Sequence, residues 1–87
     1  NLGLIYMDRG DLDEAERMLR KALEIEEKLG RREVMANAYG NLGLIEAQRG
    51  QIDAARELWT KARDLYARIG IPHMVEKHQK WLDSLPK

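Results

Sequence analysis

The chain has 87 residues, 44% hydrophobic and 34% charged, with 15 basic residues against 15 acidic ones. That length permits one small domain, the even charge argues against nucleic acid as the main partner, and no apolar run approaches the roughly 20 residues of a membrane helix. There is no Cys, which excludes disulfides and thiolate metal sites and fits a cytoplasmic protein.

The chain opens inside a helical pattern at Asn1-Leu2-Gly3-Leu4-Ile5, so it reads as a piece of a longer array. The spacing then predicts a helix over 12–29, with Leu12, Ala15, Met18, Leu19, Ala22, Ile25 and Leu29 at helical intervals. A second is predicted over about 32–49, with Met35, Ala38, Leu42 and Ile45 on one stripe. A third, over 52–69, carries Ile52, Ala55, Leu58, Trp59, Ala62, Leu65 and Ile69. Pro72 sits near the start of the last helix, where its missing N–H costs little. Gly10, Gly30, Gly50 and Gly70 end the four segments; glycine there can take the left-handed conformation that closes the last carbonyls. Nothing alternates with period two, so the expected class is all-α, and the short connections force antiparallel neighbours. Asp13/Arg17, Glu16/Arg20, Glu24/Lys28, Glu57/Lys61 and Asp64/Arg68 are acid-before-base pairs four apart on a solvated face, each adding ~0.2–0.5 kcal/mol.

The segments repeat. Asn1 to Ile5 recurs as Asn41 to Ile45, an offset of 41 − 1 = 40, and the same offset pairs Arg9-Gly10 with Arg49-Gly50, Asp13 with Asp53, Ala15 with Ala55, Lys21-Ala22 with Lys61-Ala62 and Gly30 with Gly70. These are twelve identities in thirty positions without a gap. Residues 71–87 keep almost none of them, as expected of a terminal unit that faces water on one side. The chain thus divides into a truncated repeat at 1–30, a complete one at 31–70 and a capping helix at 71–87.

Leu2-Gly3, Tyr6, Ala15, Leu19 and Ala22, repeated as Leu42-Gly43, Glu46, Ala55, Trp59 and Ala62, resemble the tetratricopeptide repeat (TPR). The small residues have a physical reason: Gly3 and Gly43 admit the second helix of each hairpin, and Ala15 and Ala55 sit at the facing crossing. The forty-residue period exceeds the standard of about 34. It resembles a longer-period subgroup that includes kinesin light chains, Leu-Gly-Asn-repeat regulators of spindle orientation and many bacterial regulatory proteins. Glu46 departs from the expected aromatic and predicts looser packing there. Asp83 replaces the small residue and predicts a cap, or a native C-terminus.

The resemblance implies antiparallel hairpins stacked as a right-handed superhelix that binds a peptide or helix of another protein in its concave groove. It implies Asn37, Asn41, Leu44 and Gln48 as groove positions in the complete repeat, Asn1, Leu4 and Asp8 in the truncated one, and Lys77, Trp81 and Ser84 on the last helix. Asn can bridge both polar groups of an extended backbone. Asn1 and Asn41 either do this or bond a neighbouring helix. Leu4 and Leu44 either line the groove or are buried. Trp59 is read as core, and Trp81 as sealing the last hairpin or meeting a partner, where Trp is over-represented.

No chemistry stands out. His73, Glu76 and His78 match no zinc spacing, the glycines form no phosphate loop, and Ser84 and Thr60 have no His and acid arranged beside them. The reading is therefore a non-enzyme without cofactor or metal. Two alternatives remain open. One is self-assembly, as a homodimer or hairpin swap, because Leu2, Ile5 and Tyr6 lack an upstream helix to cover them. The other is a regulatory segment of a larger protein.

Overall fold

The computed structural model describes residues 9–86, with side chains from Leu12 to Pro86. It contains α1 (Arg9–Leu29), α2 (Arg32–Gln48), α3 (Ile52–Ile69) and α4 (Pro72–Ser84). The bounds follow the sequence pattern except at the start. Gly10, expected to close a preceding segment, lies in the first turn of α1. A glycine there gives up no intrahelical N–H bond, since the first four N–H groups of a helix have no partner in it.

The later joints behave as predicted. Gly70 has φ 90°, and the N–H groups of Gly70 and Ile71 both donate to the Tyr66 carbonyl, at 2.9 and 3.0 Å. This doubles the closure of the last turn within two residues. Pro72 then opens α4 at once.

The core forms around α2. Ala36, Ala38, Gly40, Leu42, Gly43 and Ile45 are all buried, so α2 is enclosed on several sides and does not present a single stripe. Leu42 and Ala38 pack with Leu23 of α1 and Leu58 of α3. Ile45 meets Leu12 of α1, and Ala36 meets Ala62 and Tyr66 of α3.

Close approach is carried by Gly43, as the sequence predicts. A Cβ built there would lie 2.4 Å from both Cδ1 and Nε1 of Trp59. The indole therefore lies directly on the α2 backbone, and its Nε1–H donates to the Gly40 carbonyl at 3.0 Å. A buried indole needs such a partner.

α1 departs from its predicted stripe. Leu12 and Leu23 are buried, but Met18, Ile25 and Leu29 are 63%, 55% and 58% exposed, and Ala22 is exposed as well. Their offset partners on α3 are shielded because α3 lies between α2 and α4. Among the described residues, α1 makes its main helix contact with α2 alone.

Glu46 is held in an ion-pair cluster. It accepts from Arg49 at 2.9 Å, and the same guanidinium binds Glu16 at 2.7 Å and also Asp13. Arg49 thus ties α1 to the end of α2. Asp13 is drawn away from its predicted partner Arg17, which pairs with Glu14, while Glu16/Arg20 forms as expected at 2.9 Å. Arg49 and Arg20 hold the Glu16 carboxyl below the usual carboxylate range. The stability this confers is present above that range and is lost as pH falls through the lowered value. Arg49→Ala is expected to cost about 1–2 kcal/mol, more than an isolated surface pair, because three carboxylates lose one partly buried donor. Thermal melts should show a smaller loss at about 1 M salt, where screening is strong.

Candidate functional site

A small depression lies between α2 and α4. Asn37, Gly40 and Asn41 form one wall, Lys77 and Trp81 the other, and Tyr66 of α3 contributes to the lining. Its position depends on how α4 is seated.

The seat is a row of four rings. Tyr66 and His78 have centroids 5.2 Å apart, His78 and Trp81 4.8 Å, and Trp81 and Trp59 5.3 Å. Such contacts add roughly 0.5–1.5 kcal/mol per aromatic pair beyond burial. His78 is buried, and its Nδ1 lies 2.8 Å from the Met74 carbonyl oxygen. A carbonyl only accepts, so Nδ1 carries the hydrogen and Nε2 is the bare nitrogen. Nε2 faces Gly40, where a Cβ would stand 2.7 Å away. Burial pushes the imidazole below its ordinary pKa; the Met74 carbonyl opposes this and the Lys77 cation reinforces it.

Tyr66 is buried, and burial, helped by Glu33, raises its phenol. The hydroxyl donates to Oδ1 of the exposed Asn37, which leaves the Asn37 NH2 as a donor. Asn41 is half-buried, and the described residues supply its side chain with no hydrogen bond. The Lys77 ammonium sits 5.0 Å from the Trp81 ring centroid, within cation–π range. The depression therefore offers amide groups and one cation beside an aromatic wall. It encloses about 60 Å³. That admits the tip of one side chain, whereas small-molecule pockets run to ~300–1,000 Å³.

A larger open hollow, about 600 Å³, lies on the opposite face of α4, along Ala67, Ile71, Val75 and Gln79. Its rim carries Glu76, Lys80 and Asp83 where α2 has Ala36, Gly40 and Gly43 at the offset of forty. The small residues that let α2 receive a close-packed helix are thus replaced by charges.

A family model described as tetratricopeptide repeat matches residues 1–70. The chain belongs to the tetratricopeptide-repeat family. Searches of curated proteins and of solved structures give no match. TPR units typically mediate protein–protein interaction, and the all-α hairpin with Gly43 at the α2–α3 crossing is what the family assignment requires. No described helix is long and apolar enough to cross a membrane.

Among the positions expected to line the TPR groove, Asn37, Asn41, Lys77 and Trp81 come together. Leu44 and Gln48 do not join them. Leu44 packs beside Leu12 and Ile45, because the start of α1 rises against α2 there, and Gln48 lines a separate hollow with Leu12 and Asp13. Ser84 is exposed and donates to the Trp81 carbonyl at 2.7 Å. Asn1, Leu4 and Asp8 lie outside the described residues.

Tyr66 and His78 were not read as site residues from the sequence. One signal was available: Gly40 is an isolated glycine inside a helix, which costs about 1 kcal/mol against Ala and marks a close approach. His73 is exposed while His78 is buried, so the two rings do not converge. The described residues contain no group of three His, Asp or Glu that could hold a metal.

Proposed function

We propose that this TPR segment is a non-enzymatic scaffold that binds a peptide or helix of a partner protein along the groove between α2 and α4. The observation that supports it is the convergence of Asn37, Asn41, Lys77 and Trp81, contributed by helices forty residues apart, on one depression. Its small volume suits a chain that crosses the face and drops one side chain in. The superhelical stacking, the long-period subgroup and the cytoplasmic setting belong to the same reading.

A pull-down with the Asn37→Ala/Asn41→Ala variant, matched to the parent protein for thermal stability, tests it. A prey that is recovered by the parent and lost from the variant is the expected result. Equal recovery would move binding to another face.

A second reading, self-assembly, is favoured by the exposed Met18, Ile25 and Leu29 on α1. A sedimentation mass of one chain at high micromolar concentration would remove it.

A further inference from the structure

We propose that His78 makes the seating of α4 acid-releasable, so that this helix and the groove wall it carries leave α2 and α3 when the ring takes up a second proton. The consequence for binding rests on the groove reading above; the release itself does not.

His78 is 2% exposed and stands in the middle of the ring row that holds α4 down. Its Nδ1–H is already committed to the Met74 carbonyl. A second proton must go to Nε2, which is pressed against the Gly40 backbone. The imidazolium would be held almost wholly buried, where a charge without a partner is costly.

The ionisable and charged groups around it offer no relief. From α4 comes Lys77, a cation; from α3 comes Tyr66, whose hydroxyl is given to Asn37; the depression's α2 wall of Asn37, Gly40 and Asn41 carries no ionisable side chain. Trp81 could attract an imidazolium through its ring face. Its ring centroid lies 4.8 Å from that of His78, and the Lys77 ammonium already lies 5.0 Å from the same Trp81 ring.

The sign follows from burial. A released His78 has the ordinary pKa of about 6.5, and the seated one is lowered, chiefly by desolvation. Between the two values the released state binds more protons, so seating is unaffected above about pH 6.5 and weakens below it. The slope reaches at most about tenfold per pH unit for one proton, and ends once the seated ring also titrates. A single helix such as α4 can respond by local opening while the helices it packs on stay folded.

Hydrogen exchange of the α4 amides, corrected for intrinsic rates and normalised to α2, tests this between about pH 7.5 and pH 5, above the ordinary carboxylate range. Trp59 and Trp81 are the only tryptophans, so fluorescence follows the same ring row. The expected result is a several-fold loss of α4 protection toward acid in the wild type and in His73→Gln, and none in His78→Phe. A flat wild-type profile, or an equal loss in His78→Phe, overturns the proposal. Should His78→Phe not fold, an NMR titration of the wild-type imidazoles decides. A His78 ring titrating at or above about 6.5 sinks the idea, and one titrating lower, together with α4 release, supports it. If α4 releases but recovery of a groove-bound prey does not follow pH, the groove reading fails and the release stands.

Discussion

Trp59→Ala is expected to cost about 3–5 kcal/mol of folding stability, measured by urea unfolding. That is a large share of what a domain of this size holds, at ~0.05–0.15 kcal/mol per residue. The indole is 4% exposed, it rests on the backbone at Gly43, and it donates to the Gly40 carbonyl. Its removal leaves a cavity whose walls, Gly40 and Gly43, have no side chains to move into it. It also strips Trp81 of its neighbour in the ring row. Trp59→Phe keeps most of the volume and loses the N–H donor, so about 1–3 kcal/mol is expected. A loss below about 1 kcal/mol for the alanine variant would show that the wedge is not where α2 and α3 are held together.

The second large effect is the converse. Gly43→Val places a branched side chain where even a Cβ meets two Trp59 atoms at 2.4 Å. Overpacking costs about 1–3 kcal/mol. Displacing the indole from the Gly40 carbonyl adds roughly 1 kcal/mol, and the gain in helix propensity over glycine returns a few tenths. A net loss of about 2–4 kcal/mol is expected. Because the two sites touch, their effects should not add. Gly43→Ala combined with Trp59→Leu, the residue found at the offset position Leu19, should be less damaging than the sum of the single changes. Strict additivity would mean that the contact does not govern the crossing.

The helix bounds were legible because the chain marks them chemically. Gly30, Gly50 and Gly70 fall at the joints and Pro72 at the start of α4, and these are local effects that need no neighbour. The α3 stripe was legible because helices cover it on more than one side. The same stripe on α1 misled, since Met18, Ile25 and Leu29 have the right spacing but the described residues do not bury them. Periodicity shows that a face can be covered, not that it is.

The site was half legible for a similar reason. Asn37, Asn41 and Lys77 follow from the family resemblance, which implies them as groove positions. Tyr66 and His78 depend on how α4 is seated, and residues 71–87 have lost the identities that would supply a template. Glu46 was read as a missing aromatic, whereas Arg49 draws it into an ion-pair cluster with α1. Glu46 and Arg49 are three residues apart and their pairing is readable from spacing, but the link from Arg49 to Glu16 runs across helices and has no such signature.

The left-handed glycines fall at even intervals, 50 − 30 = 20 and 70 − 50 = 20. Each helix turns about 100° per residue, so each interval also sets the angle at which the next helix leaves its joint. One residue inserted inside α3 would leave every α3 contact before it intact. It would swing α4 by about 100°, taking Lys77 and Trp81 away from Asn37 and Asn41. The same insertion in the exposed turn at Gly70 need only lengthen a link. Length changes in this array are thus confined to its joints, and the helices behave as fixed-length spacers that keep distant side chains in phase.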